Sequence, residues 1–248
     1  MNIAVCLCQV PDTSSVIGFV DGEIDLSRVN AVMNPYDEYA LEEAVRCKER
    51  IAGSVVTVFT VAAASAKEML RKALAMGADR AVYVNVPEVS DSFQTAVVLR
   101  QAISACYIDY LPDLVFCGKQ STDFQHGQVP AMLAELLGIT AVIGISSFSF
   151  SSDGFQVERE IEGGSELLDL CSPALFSVEK GLNTPRKTSM KAVMEARKKP
   201  LDCFSISFDE QSRVVMATIK PLDRRKKCHV VAAEAELIRL LSEEQHLF

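Results

Sequence analysis

Ser54-Val55-Val56-Thr57-Val58-Phe59-Thr60-Val61-Ala62 is the stretch on which the fold turns. It is β-branched and carries no charge. Strict alternation would mark a strand with one wet face. A continuous apolar run marks a strand covered on both faces, as in a parallel sheet. Residues 66–76 follow as a helix stopped by Gly77, and residues 81–86 read as the next core strand. Strand, helix and strand in that order form one crossover unit of an α/β fold.

The same alternation extends both ways. Residues 3–10 form one apolar run and predict the first buried strand. Pro11-Asp12-Thr13-Ser14-Ser15 is a polar turn. Residues 19–24 predict a hairpin turning on Asp21-Gly22. Asn34 caps the next helix, with Pro35 at its first position. Asp37 and Glu38 in the first turn and Arg46, Lys48 and Arg50 in the last complement the macrodipole. Leu41, Ala44, Val45 and Lys48 recur on one mostly apolar face. Residues 91–107 predict a helix, 114–117 a fourth strand and 127–137 the helix after it. The sum is a doubly wound parallel sheet.

Past residue 140 the pattern changes. Short strands are expected at 141–145, 148–150, 155–160, 166–171 and 174–178, as a late mixed or antiparallel extension. Residues 184–189 form a basic polar loop, and 190–198 a short helix ended by Pro200. From Leu201 onward no fold-sized pattern stands out. Residues 232–241 read as one amphipathic helix whose Leu237, Leu240 and Leu241 need a surface to bury against. The expected organisation is an α/β domain over 1–183, a loop and short helix over 184–200, and an extended C-terminal arm over 201–248.

Composition bounds the function. The 248 residues are 49% hydrophobic, enough for a substantial core. A net charge of -8 argues against a general nucleic-acid binder. No apolar run is long enough to span a bilayer, and the start lacks a basic leader. No membrane insertion and a cytoplasmic protein are expected. The cysteines at 6, 8, 47, 106, 117, 171, 203 and 228 include no C-x-x-C pair and read as reduced thiols. Cys6 and Cys8 would share one strand face. The histidines at 126, 229 and 246 are far apart, so no metal site is expected.

Ligands of open parallel sheets sit beyond the carboxyl ends of the strands. The loops leaving Val10, Val61 and Cys117 are therefore the candidates. The third is the richest: Gly118, Lys119, Gln120, Ser121, Thr122, Asp123, Phe124, Gln125, His126, Gly127, Gln128, Val129, Pro130. N–H groups near Gly127 to Val129 would face an anion at a helix start. The loop is neither a P-loop nor a G-x-G-x-x-G turn, and a simple helix-capping loop is the competing reading.

Three segments in fixed order bear on this: Met33-Asn34-Pro35-Tyr36-Asp37-Glu38, Ala73-Leu74-Ala75-Met76-Gly77-Ala78-Asp79-Arg80, and Arg159-Glu160-Ile161-Glu162-Gly163-Gly164-Ser165-Glu166. Together the segments resemble the beta subunit of electron transfer flavoproteins. The resemblance spans roughly residues 1–200. It implies a Rossmann-like fold of the adenine-nucleotide alpha-hydrolase type. The partner would be an alpha subunit, with an FAD shared with that chain, and AMP or a second FAD in this one. Nucleotide contacts would fall on Cys6, Asn34, Pro35, Tyr36, Asp37, Val61, Gly118, Lys119, Gln120, Ser121, Thr122, Asp123, Gln125, Gly127, Gln128 and Val129. AMP-binding members often show Asn-Gln-Thr where this chain has Gly127-Gln128-Val129. The Gln-Val pair resembles the branch linked to nitrogen fixation and electron bifurcation, so AMP and FAD both stay open.

The resemblance further implies a flavin edge at Thr13, Glu162, Gly163, Gly164 and Glu166. It implies a docking loop with Met190 as the apolar anchor and Arg186, Lys187 and Lys191 as steering charges. Electrons would pass from a dehydrogenase, such as an acyl-CoA dehydrogenase, to a quinone reductase or other acceptor. No nucleophile–base pair or paired carboxylates stand out, so an enzyme is not expected. The alternative is a nucleotide-sensing, stress-protein-like homodimer.

Overall fold

The computed structural model describes residues 1–20, 23–62, 64–86, 89, 91–206, 209–220 and 230–243. In chain order the elements are β1 (Asn2–Cys6), β2 (Gln9–Pro11), β3 (Gly18–Val20), β4 (Glu23–Asp25), β5 (Ala31–Met33), α1 (Pro35–Arg50) and β6 (Val55–Val61). Then come α2 (Lys67–Met76), β7 (Arg80–Val84), α3 (Ser92–Cys106), β8 (Leu114–Gly118), α4 (Val129–Leu137) and β9 (Thr140–Phe150). The chain continues through β10 (Phe155–Ile161), β11 (Gly164–Leu170), β12 (Ala174–Val178), α5 (Met190–Ala196), β13 (Leu201–Phe204) and α6 (Glu234–Glu243).

Nine strands make the central sheet, ordered β11-β10-β9-β12-β8-β1-β6-β7-β13. From β13 through β9 every neighbouring pair is parallel, and β9-β10-β11 close the far edge antiparallel. The chain winds outward from β1 through β6 and β7, then returns to β8 on the other side. The crevice between β1 and β8 is therefore the switch point of strand order. Helices α1 and α2 cover one face, packed over Ile3, Val5, Val58, Phe116 and Phe176. Helices α3 and α4 cover the other, over Ala4, Phe59, Val82, Val115 and Leu175. The doubly wound parallel sheet with late antiparallel strands is thus the fold.

Several local expectations change. The run 3–10 is not one strand: β1 stops at Cys6 and β2 pairs antiparallel with β5 in a separate ribbon. The break has a cause, since the Cys8 N–H donates to the Asp37 carboxylate at 2.6 Å. The two short strands expected at 141–145 and 148–150 are a single strand, β9, with Gly144 at φ 76° and a register shift against β12. Its first half pairs with β12 and its second with β10. β13, where no pattern was expected, adds a ninth strand beside β7. β3 and β4 form the expected hairpin; Asp21 and Gly22, its predicted turn, lie outside the described residues, as does Cys228. Among the described residues no helix is long and apolar enough to cross a membrane.

Candidate functional site

Asp37 organises the crevice. It sits in the first turn of α1, is 4% exposed, and accepts from three directions. Oδ2 takes the Cys8 N–H at 2.6 Å. Oδ1 takes the Gly118 N–H at 3.1 Å and the Asn34 side-chain amide at 2.9 Å. One carboxylate thereby fastens the chain after β1 to the end of β8. Burial pushes its pKa up to about 6 against the pull of these hydrogen bonds. The close approach explains Gly118: a Cβ there would lie 2.1 Å from Asp37 Oδ1 and 2.8 Å from Tyr36 Cβ.

Asn34 is the N-cap of α1 by position but not by side chain. The expected cap bond gives way to a better use of a fully buried amide. Its Nδ2 donates to Asp37 and to the Gln120 carbonyl, both at 2.9 Å. Its Oδ1 is buried with no hydrogen-bond partner. An orphaned acceptor of this kind is costly unless something donates to it.

A cavity of about 400 Å³ opens here. Cys6, Asn34, Asp37 and Val61 border it, as do Gly118, Lys119, Gln120, Ser121 and Asp123, and Gly127, Gln128 and Val129. Gln128 is the N-cap of α4 without a side-chain bond, and Pro130 in the first turn has no N–H, so Val129 is the first-turn residue bordering the cavity that keeps a backbone donor. Gln125 and Gly127 both have positive φ, 56° and 63°, which bends the loop onto that helix start. Gln125 itself lines neither cavity. Lys119 is held aside by an ion pair with Glu179, whose hydrogen bond raises its pKa. The Cys6 and Cys117 thiols meet on paired strands at the cavity floor; their hydrogen bond, then burial, keeps Cys117 protonated. A small, mostly apolar site with a helix start at one end and an unpaired buried acceptor in its wall could take a nucleotide, with phosphate at the helix and an N–H donor at the acceptor.

Three expected nucleotide residues go elsewhere. Pro35, Tyr36 and Thr122 border a second cavity, of about 820 Å³, on the opposite side of the first turn of α1. Thr13 is there too, with Lys72, Lys180, Arg186 and Lys187. The predicted flavin-edge residue Thr13 and the predicted docking loop therefore share one cleft. The turn at Glu162-Gly163-Gly164 tips the β10–β11 hairpin, with Gly163 at φ 85°. Arg159 and Glu166 pair across it at 2.6 Å, and neither cavity includes the turn.

The docking loop differs from expectation at Arg186. Its guanidinium is committed to Glu42 (2.9 and 3.0 Å) and Glu49 (2.6 and 3.1 Å), and its backbone N–H donates to Glu42 at 3.0 Å. Asn183 adds bonds to Glu43 at 3.0 Å and the Tyr39 carbonyl at 2.9 Å. Arg186 clamps the loop to α1 and is not a free steering charge. Met190 is 81% exposed, with Met194 beside it at 56%. Lys187 and Lys191 are exposed, Lys191 4.0 Å from Glu195.

Sequence reasoning missed one wall of the first cavity. Asp91, Ser92 and Thr95 of the α3 start line it, and so do Val214 and Met216 from the C-terminal region. Asp91 was readable as a helix cap; its proximity to residues 212–214 was not. Among the described residues no cluster could hold a metal ion.

Comparison with known proteins bears on this geometry. Residues 21–208 match the family model described as Electron transfer flavoprotein domain. The chain is similar to proteins named "Electron transfer flavoprotein subunit beta". The one from Syntrophomonas wolfei is 34% identical over 201 residues, 81% of this chain and 78% of that one. That of Bacillus subtilis is 36% identical over 202 residues, covering 82% and 78%. That of Bradyrhizobium diazoefficiens is 33% identical over 225 residues, covering 89% and 88%.

Proposed function

The chain belongs to the electron transfer flavoprotein family, with beta subunits as its relatives, and on that premise we propose that it is half of a heterodimeric electron carrier. Its partner is an alpha subunit, and the redox-active FAD is shared with that chain. This subunit holds an adenine nucleotide in the cavity at the β1–β8 crevice. The observation that carries the reading is that Asn34, whose buried Oδ1 has no hydrogen-bond partner, borders the same cavity as the start of α4. The first suits the amino group of a base, the second a phosphate.

AMP is favoured over a second FAD. A volume of about 400 Å³ lies at the small end of ligand pockets, which suits a mononucleotide better than a dinucleotide. The electron donor is a flavin dehydrogenase, such as an acyl-CoA dehydrogenase, docking through Met190 and the exposed Lys187 and Lys191. The acceptor is a quinone reductase or similar protein. Thr13 borders the cleft beside that loop, which favours it as the flavin-edge residue. Residues 1–183 carry most of the nucleotide site and 184–200 the docking loop; of the arm expected over 201–248, β13 and residues 210–216 rest on this chain's own fold, and the part around α6 packs on the alpha subunit. α6 supports the arm: Leu237 and Ile238 are 45% and 56% exposed on it.

The test is co-expression with an electron transfer flavoprotein alpha subunit from the same genome, then denaturation and quantification of released nucleotides. A yellow heterodimer yielding one FAD and one AMP is expected. Two FAD per heterodimer would overturn the AMP assignment, and a colourless homodimer would overturn the carrier.

A further inference from the structure

Asp91 does more than cap a helix. Its Oδ1 accepts the Gln94 N–H at 2.8 Å, the usual N-cap bond. Its Oδ2 accepts from the far end of the chain: the Arg213 N–H at 2.5 Å, the Ser212 hydroxyl at 3.0 Å and the Val214 N–H at 3.2 Å. Two more contacts hold the same segment. Gln94 Nε2 donates to the Glu210 carbonyl at 2.8 Å, and the Arg213 guanidinium lies 3.5 Å from the centre of the Phe93 ring. This grip carries Val214 and Met216 to the rim of the 400 Å³ cavity. Each is 57% exposed, so neither is there to pack a core.

We propose that Asp91 is a positioning residue that holds residues 210–216 as a movable wall of the nucleotide cavity, with Val214 and Met216 as the apolar cover of the bound nucleotide. This rests on the adenine-nucleotide reading above. A carboxylate oxygen collecting donors from consecutive residues fixes the course of the backbone there. The segment buries little apolar surface, so opening it costs less than opening the sheet. The wall therefore governs how fast nucleotide leaves, while α4 and Asn34 govern what is recognised. With the cover in place water is kept from the helix start, which strengthens its hold on an anion.

The experiment measures release of radiolabelled AMP from the purified heterodimer under chase with unlabelled AMP. Asp91→Asn keeps an oxygen for the α3 cap but turns an amide against the wall's donors. It should speed release by about tenfold, the scale of one lost charge-assisted bond. Val214→Ala with Met216→Ala leaves Asp91 untouched and should speed release comparably. Combining all three should add little, because they act through one segment. Wild-type release in Asp91→Asn would make Asp91 only a cap, and wild-type release in the Val214/Met216 variant would mean that they cover nothing; either result overturns the proposal. If the wild-type heterodimer carries no adenine nucleotide, the functional reading falls instead. The wall is then judged by hydrogen exchange at the Arg213 and Val214 amides. Protection lost in Asp91→Asn sustains it as a held segment, and unchanged protection overturns it.

Discussion

The chain returns twice to the helices that flank its sheet, and it fastens the two returns in opposite ways. At 183–186 the returning segment brings the cation, and Arg186 grips Glu42 and Glu49 of α1. At 210–216 the helix supplies the acid, and Asp91 gathers N–H and hydroxyl donors from the segment. A guanidinium fork on two acids fixes where a loop sits while leaving its next residues free to face outward. A carboxylate collecting neighbouring N–H groups fixes the path of the backbone itself. The first device presents a surface, ending in the exposed Met190. The second shapes a wall, with Val214 and Met216 at the cavity rim. One helix serves each return: α1 rests on the floor that Asp37 and Gly118 make between β1 and β8, while α3 packs on β6 and β7.

The largest effect should come from breaking that floor. Gly118→Ala drives a Cβ into Asp37 and Tyr36, where backbone and a buried carboxylate leave little room to yield. A loss near the upper end of about 1–3 kcal/mol is expected in urea denaturation, together with loss of bound nucleotide. Wild-type stability would mean that α1 can withdraw from β8.

Acid titration separates floor from fastenings. Asp37 is raised from 3.8 to about 6 in the folded protein, chiefly by burial. The folded state holds that proton more tightly, so Asp37's contribution to stability falls as pH rises from about 4 to about 6, by on the order of 2–3 kcal/mol. Glu42 and Asp91 run the other way. Burial opposes their ionisation, but Arg186 on one and the N–H donors on the other leave both below their usual values. Their contributions are complete above those values and vanish as pH falls through the folded ones. Wild-type stability minus that of Asp37→Asn, measured from pH 4 to 7, should slope downward. A flat difference would place the Asp37 titration elsewhere.

Arg186→Gln should cost about 1–3 kcal/mol, because the Glu42 side chain is 4% exposed and is left with Arg46 as its one cation. Amides of 187–194 should exchange faster, and AMP release should not change. Equal acceleration of AMP release would show the two fastenings to be one. Met190→Ala should leave folding untouched and weaken docking of an acyl-CoA dehydrogenase by roughly 1–3 kcal/mol. Reduction kinetics of the heterodimer across a salt series check it, and wild-type rates would move the docking surface away from this loop.

What the sequence discloses follows how local each signal is. The runs at 54–62 and 81–86 announce buried strands because two-sided burial leaves no room for polar residues. Gly118 to Val129 announces a ligand loop because a strand, a polar turn and an uncapped helix start are neighbours in the chain. Asn34 reads as a side-chain cap, yet Asp37 and the Gln120 carbonyl, the latter 86 residues on, win its amide. β13 is too short to declare itself without β7 beside it. The helix expected over 91–107 says nothing of the role Asp91 takes at its N-cap, because its other donors lie 121 to 123 residues downstream. Long-range polar bonds to backbone N–H groups are blind to side-chain identity, and they leave no motif.

The Asp37 bracket also dates the site within the life of the molecule. Its donors lie 29 and 81 positions away, at Cys8 and Gly118. A nascent chain emerging from the ribosome completes α1 and the β1–β6–β7 side of the sheet before Gly118 exists. Until then the carboxylate has no second strand to fasten, and the crevice has only one bank. On the proposed function, a nucleotide would have nothing to bind in the early chain and could not template its first strands; it would seal a half-finished sheet after the slower, long-range pairing of β8 with β1.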